Sequence, residues 1–162
     1  LLDFNKSLRI KPDNLEVLNE RGAVYVILDK CDDAIKDFNR LLNADPNHVE
    51  ALIRRGEAYK KSNNYEKALC DFNKSLELEP NNFFALSNRG QTYIMLNKAD
   101  EAISDFCSSL KFRPKDYPAH LNVGGFGEIF EATYVSLLGE KSKFALKYLK
   151  SSKGYSIDIV DE

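Results

Sequence analysis

Few residues of this chain have side chains that could act as nucleophiles, general bases or metal ligands. The 162 residues include two histidines, His48 and His120, and three cysteines, Cys31, Cys70 and Cys107. Neither histidine belongs to a cluster with zinc-site spacing, and no two cysteines form a Cys-x-x-Cys pair. An odd, sparse set of cysteines is typical of free thiols in a reducing compartment. The sequence therefore predicts neither a metal site nor a Ser–His catalytic pair.

A glycine-rich stretch near the C-terminus is the second place where the sequence could support chemistry. Residues 123–134 read Val-Gly-Gly-Phe-Gly-Glu-Ile-Phe-Glu-Ala-Thr-Tyr, and residues 143–150 read Lys-Phe-Ala-Leu-Lys-Tyr-Leu-Lys. This pattern predicts two strands around a hairpin. Glycines would leave backbone N–H groups open to phosphate oxygens, and a strand lysine would add a positive charge. The candidate nucleotide-contacting residues are Gly124, Gly125, Gly127 and Lys147.

The same stretch resembles the start of a protein kinase domain. The length of chain between Gly127 and Lys147 suits one hairpin between a glycine-rich loop and the lysine of the third strand. The resemblance implies ATP as a ligand. Asn122 stands where the first loop glycine is usual, and the chain contains no His-Arg-Asp or Asp-Phe-Gly motif. We therefore expect no phosphoryl transfer by this chain, with the alternative that it is the N-terminal part of a repeat-containing kinase.

A constant step along the sequence organises the chain before this stretch. Six series of identical residues share the step: Phe4, Phe38, Phe72 and Phe106; Pro12, Pro46, Pro80 and Pro114; Leu8, Leu42, Leu76 and Leu110; Gly22, Gly56 and Gly90; Tyr25, Tyr59 and Tyr93; and Ala34, Ala68 and Ala102. Six series in one register indicate a repeat architecture.

Each unit has the spacing of two helices. In residues 49–82, helical positions are occupied by Leu52, Gly56 and Tyr59 and then by Ala68, Phe72 and Leu76. The polar residues 62–64 predict a turn between the helices, and Pro80 predicts the end of the second. Glycine inside a helix costs about 1 kcal/mol relative to alanine. Its recurrence predicts close approach of the two helix backbones, with Tyr59 and Phe72 filling the space between successive pairs.

This pattern resembles the tetratricopeptide repeat over residues 1–120. The resemblance implies an all-α solenoid of helix–turn–helix units, followed by a short β-rich segment similar to part of a kinase N-lobe. We expect the chain to begin inside a repeat, as a fragment. The predicted boundaries are 1–14 for the end of a preceding repeat, 15–48, 49–82 and 83–116 for three repeats, 117–122 for the start of a truncated repeat, and 123–162 for the kinase-like segment.

The repeat has one unusual charged position. Arg21, Arg55 and Arg89 stand where a leucine usually precedes the glycine, and an aspartate series with the same step comprises Asp3, Asp37, Asp71 and Asp105. We expect each aspartate to pair with the arginine of the following unit, Asp37 with Arg55 for example, and so to link neighbouring units. The alternative is that both are solvated surface charges worth less than about 1 kcal/mol.

The family resemblance also implies a binding face, because the first helix of each tetratricopeptide repeat lines the concave side. The residues expected to contact a partner are Glu16, Asn19, Glu50, Ile53, Glu57, Lys60, Phe84, Ser87, Gln91, Ile94 and Met95. This groove is charged and acidic in its middle and apolar towards Phe84 and Met95. A partner with an apolar anchor and some basic residues would suit it.

Composition narrows the class of partner. The net charge of −2 disfavours nucleic acid, and no run of about 18 apolar residues predicts a membrane span. We therefore expect a cytoplasmic scaffold that binds a protein or peptide, without a cofactor for the repeats and without nucleic-acid or membrane partners.

Overall fold

The computed structural model describes residues 1–112, and within them the chain is entirely helical. The helices are α1 (Leu2–Ile10), α2 (Leu15–Ile27), α3 (Cys31–Ala44), α4 (Val49–Lys61), α5 (Tyr65–Leu78), α6 (Phe83–Met95) and α7 (Ala99–Lys111). Three helix pairs, α2–α3, α4–α5 and α6–α7, follow α1, and each pair packs on the next. The all-α solenoid prediction is confirmed for this part of the chain, whereas the predicted β-rich segment lies outside it.

Polar side chains start the first helix of each pair. The Asn14 Oδ1 accepts a hydrogen bond from the Val17 N–H, and the Asn82 Oδ1 accepts from the Phe84 and Ala85 N–H groups. In the middle pair His48 has this role, since its Nδ1 accepts from the Ala51 N–H at 3.2 Å. His48 is therefore the N-cap of α4.

The turn inside each pair is made by a left-handed residue. Asp29, Asn63 and Asn97, which occupy the same position in successive pairs, have φ values of 58°, 59° and 57°. Asp and Asn are the non-glycine residues that tolerate this region best. The next residue's N–H then donates back to the tyrosine carbonyl of the helix, as in the 2.8 Å bond from Asn64 to Tyr59. This geometry ends the helix and reverses the chain.

The core of each pair is a phenylalanine ring lying on a glycine. Phe38, Phe72 and Phe106 are at most 1% exposed. A Cβ on Gly56 would lie 2.6 Å from the Phe72 Cε1, and Gly22 and Gly90 have the same relation to their rings. The glycine therefore makes room for an aromatic ring within its own pair. Phe72 also belongs to a buried cluster with Ala85 and Leu86 of the next pair, in agreement with the prediction that it fills the space between successive pairs.

The arginine and aspartate series pair differently from the prediction. Arg55 donates to both carboxylate oxygens of Asp71, at 2.8 and 2.7 Å, and Asp71 belongs to the second helix of the same pair. Arg21–Asp37 and Arg89–Asp105 repeat this geometry. The predicted pairing of each aspartate with the arginine of the following unit is therefore wrong.

An asparagine series makes the link between pairs instead. The remaining guanidinium nitrogen of Arg55 donates to the Asn39 Oδ1 of the preceding pair at 2.7 Å. Asn5 and Asn73 serve Arg21 and Arg89 in the same way. The aspartate side chains are 4–7% exposed, so these are partly buried bidentate pairs and not solvated surface charges.

Candidate functional site: the inner wall of the array

The first helices of the pairs form one continuous wall. α2 contacts α4 and α4 contacts α6, whereas the second helices of successive pairs are spread further apart. An array whose first helices lie closer together curves towards their side. We call the exposed surface of α2, α4 and α6 the inner wall. Residues at equivalent repeat positions form rows across the three helices of this wall.

The predicted contact residues divide between the surface and the interior of this wall. Glu16, Glu50, Phe84 and Met95 are exposed, and Glu57, Lys60, Gln91 and Ile94 are partly exposed. Asn19, Ile53 and Ser87, which form one row, are 7%, 8% and 9% exposed. The structure thus places the first two groups where a partner could reach them directly, and the third row beneath the surface.

Lys60 of α4 connects this helix to α6 across the inner wall. Its Nζ donates to the Asn88 Oδ1 at 2.7 Å and to the Gln91 Oε1 at 2.6 Å, both on α6. Burial lowers the pKa of Lys60 to about 8, an effect that the nearby Glu57 carboxylate opposes. The ammonium group is therefore held by neutral amides in a place where its charge is poorly solvated.

Lys61 reaches in the opposite direction, towards α2. Its Nζ lies 3.2 Å from the Val26 carbonyl oxygen and 3.5 Å from the Asp29 Oδ1. Val26 is in the last turn of α2, where carbonyl groups lack helical partners and carry partial negative charge. Two consecutive lysines thus connect α4 to both of its neighbours on the inner wall.

The acidic end of the wall contains one further ion pair. Arg54 donates to the Glu50 Oε1 at 2.9 and 2.6 Å. This hydrogen bond is the largest cause of the lowered pKa of Glu50, and a hydrogen bond from Asn19 also contributes. Asn19 of α2 and Glu50 of α4 are therefore neighbours at the junction of the first two pairs.

Two exposed apolar side chains of the wall are on α6, and a third, Ile27, is the last residue of α2. Phe84 is 46% exposed and Met95 is 52% exposed. The Phe84 ring packs edge-on against Phe83, with ring centroids 5.3 Å apart. Phe84 lies at the start of α6 and Met95 at its end, so the two exposed apolar side chains are about three helical turns apart.

The sequence interpretation missed two wall residues. Asn88 is a hydrogen-bond partner of Lys60, and Glu20 lies one helical turn after Glu16. Both follow a predicted contact residue, Phe84 or Glu16, at i+4, so this helical spacing alone would have identified them.

The three cysteines lie on α3, α5 and α7. Burial raises the pKa of the Cys31 thiol, assisted by Asp29, which keeps the thiol protonated. Cys70 and Cys107 are exposed on α5 and α7. Among residues 1–112 no group of three His, Cys, Asp or Glu side chains could hold a metal ion. None of the helices there is both long and apolar enough to cross a bilayer.

The predicted nucleotide-contacting residues lie outside the described residues. Gly124, Gly125, Gly127 and Lys147 all follow residue 112. The family models that match the chain end at residue 104 and give no support to the kinase resemblance. ATP binding at these residues stays a prediction.

Two family models define the class of protein that this fold represents. One tetratricopeptide-repeat model matches residues 49–82, and another matches residues 72–104. Together with the three helix pairs, these matches show that the chain contains tetratricopeptide repeats, the fold of a protein-interaction scaffold. No curated protein matches the chain significantly.

Solved structures with this fold include MamA and the first tetratricopeptide domain of Spaghetti (RPAP3). A crystal structure of MamA has 21% identity and a TM-score of 0.72, over 93% of this chain and 82% of MamA. MamA MSR-1 has 24% identity and a TM-score of 0.60 over 67% of this chain, which spans only 63% of that MamA chain. The RPAP3 domain, described as bound to the HSP90 peptide SRMEEVD, has 29% identity and a TM-score of 0.60, over 64% of this chain and 82% of the domain.

Proposed function

We propose that this chain is a scaffold that holds a partner peptide or protein segment against the inner wall of α2, α4 and α6. The observation that carries the proposal is the exposure of Phe84 and Met95 beside the half-buried Gln91 and Lys60. A similar repeat domain, that of RPAP3, has a peptide bound in its structure. The proposed contacts are the predicted contact residues that are exposed or partly exposed, namely Glu16, Glu50, Glu57, Lys60, Phe84, Gln91, Ile94 and Met95.

The dimensions of the wall suit a short extended segment. Neighbouring packed helices lie about 8–10 Å apart, so the axes of the first and third of these helices are roughly 16–20 Å apart. An extended peptide advances about 3.3 Å per residue, so about five to six residues would cross the wall. Such a segment could place one apolar side chain at Phe84 and polar groups towards α4 and α2.

The two ends of the wall would have different roles in binding. Apolar anchors contribute most of the affinity at protein interfaces, so Phe84 and Met95 should dominate the free energy of binding. The fixed amides of Asn88 and Gln91, already oriented by Lys60, would accept or donate hydrogen bonds along the peptide backbone. This division predicts that replacing Phe84 or Met95 lowers the affinity for every partner. Replacing Asn88 or Gln91 should instead change which peptide sequences bind.

Selection from a displayed library of random peptides tests the proposal. Selected peptides should bind the chain with an affinity that falls about tenfold or more in Phe84→Ala, the loss expected for an interface anchor. Leu78→Ala is the matched control, because Leu78 is an apolar residue of α5 that is 40% exposed and lies off the inner wall. Peptides that lose affinity equally in both variants, or in neither, would count against the inner wall as the binding site.

A further inference from the structure

The beginning of α2 presents an acidic face beside the first junction of the inner wall. Glu16, Asn19 and Glu20 follow one another at i, i+3 and i+4, so they lie on one face of the helix. Glu50 of α4 adjoins this face, since a hydrogen bond from Asn19 helps to lower the pKa of its carboxyl group. Three carboxylates and one amide therefore surround the same short stretch of α2.

Two of these carboxylates have no compensating charge. Glu16 and Glu20 are exposed, and within residues 1–112 neither makes an ion pair or a side-chain hydrogen bond. Like charges one turn apart on a helix repel each other. Glu50 differs, because Arg54 already neutralises it. The negative potential of this face therefore favours binding of a cation near Glu16 and Glu20.

The amide between them supplies a second, independent observation. Asn19 is 7% exposed, and its Oδ1 is a buried acceptor without a hydrogen-bond partner. Reversing the amide would turn its oxygen towards the Glu50 carboxylate, so the orientation with the NH2 group at Glu50 is the favoured one. Buried acceptors in native proteins are normally satisfied, and this one lacks a donor.

We propose that Asn19, Glu16, Glu20 and Glu50 form a subsite for one lysine or arginine side chain of the bound partner. The inference rests on the proposed peptide-binding function and specifies that the bound partner carries a positive charge at this place. Both basic groups are pure hydrogen-bond donors, so either would satisfy the Asn19 oxygen while its charge offsets the two carboxylates.

The position of the subsite also sets its distance from the apolar anchor. Glu16 and Phe84 occupy the same repeat position on α2 and α6, which are separated by two helix spacings, or about 16–20 Å. An extended chain covers this distance in about five to six residues. The partner should therefore carry its basic residue about five or six positions from its apolar residue.

Synthetic, end-blocked peptides with one leucine and one arginine, separated by a glycine–serine spacer, test the inference. The matched peptide has citrulline, the neutral analogue, in place of arginine. Binding is followed through the backbone amide resonances of the folded chain at low ionic strength, where exposed charges are least screened. We expect the arginine peptide to bind about tenfold more tightly, a difference typical of a desolvated charge contact. It should shift the resonances around Asn19.

Two variants with the same change in charge separate the subsite from the general acidity of the chain. The preference for arginine should disappear in Glu16→Gln/Glu20→Gln and persist in Glu66→Gln/Glu77→Gln, which neutralises two exposed glutamates of α5. Equal binding of the arginine and citrulline peptides, with shifts on α6, would overturn the subsite and leave the peptide-binding function intact. Saturable shifts around Asn19 with calcium chloride alone would also overturn it, in favour of a metal site. If neither the arginine peptide nor the citrulline peptide shifts a resonance on α2, α4 or α6, both the subsite and the proposed binding function are contradicted.

Discussion

Substituting Gly56 by alanine should destabilise the chain, although alanine is the better helix former. The new Cβ would lie 2.6 Å from the Phe72 Cε1 and 2.9 Å from its Cζ, against 3.4–4 Å for ordinary contact. Phe72 is 0% exposed, so the ring has no solvent-filled space into which to move. Overpacking a core costs about 1–3 kcal/mol, and alanine recovers about 1 kcal/mol of helix propensity. The difference is a net loss of about 0–2 kcal/mol in the free energy of unfolding, and we expect a value near 2 kcal/mol because the contact is with a rigid ring.

Urea unfolding followed by circular dichroism measures this loss, and Phe72→Leu provides the control. Leucine lacks the Cε1 and Cζ atoms and keeps only Cδ atoms, which are the far end of a flexible side chain, so in the Phe72→Leu background the closest contacts of the added Cβ are removed. There the same Gly56→Ala change should be neutral or stabilising, by up to about 1 kcal/mol. The reasoning predicts this reversal of sign. If Gly56→Ala stabilises the otherwise unchanged chain, helix propensity outweighs ring packing and the account of the glycine series is wrong.

Three further predictions concern the polar contacts. Arg55→Ala and Asp71→Ala should show a coupling of about 1–3 kcal/mol in a double-mutant cycle of unfolding free energies, because the pair is bidentate and partly buried; additive effects would contradict this. Asn82→Ala should cost about 1 kcal/mol in a urea unfolding measurement through loss of the α6 cap, and Asn81→Ala, which removes a neighbouring amide that does not cap the helix, should cost less than about 0.5 kcal/mol. Burial holds the pKa of Lys60 at about 8 in the folded chain against 10.5 in the unfolded one, so the unfolded chain binds more protons between these values. Stability should consequently rise with pH across that window relative to Lys60→Met, and a constant difference between the two chains in urea unfolding would refute the shift.

The periodic features of the fold could be predicted from the sequence because each repeat gives the same signal again. The constant repeat step locates the helices, the turn at 62–64 and the rings of the core without any tertiary information. The left-handed turn residues Asp29, Asn63 and Asn97 follow the same step, so they too were available in the sequence.

The partners of the arginines could not be predicted in this way. The repeat step places one aspartate before Arg55, at Asp37, and another after it, at Asp71, with similar separations along the chain. Periodicity alone therefore permits either pair. The packing of α4 on α5 selects the later aspartate, and the earlier helix contributes Asn39 instead. The choice depends on which helix faces lie together, which repeat spacing does not specify.

The sequence predicted which helices form the inner wall, but not which of their side chains are accessible. The row of Asn19, Ile53 and Ser87 belongs to the same helices as Phe84 and Met95, yet it is buried. Lys60 and Lys61 look alike in the sequence, but they connect α4 to opposite neighbours. Their reach depends on the approach of three helices, so only the structure distinguishes a group that ties helices together from one that is exposed to a partner.

Amide hydrogen–deuterium exchange of the whole chain, with and without a peptide from the displayed library, tests the central claim most directly. Binding to the inner wall should slow exchange in α2, α4 and α6, because these helices would contact the peptide, and leave α3 and α5 nearly unchanged. Protection centred on α3 and α5, with none on the three first helices, would show that partners bind the outer surface and would contradict the account.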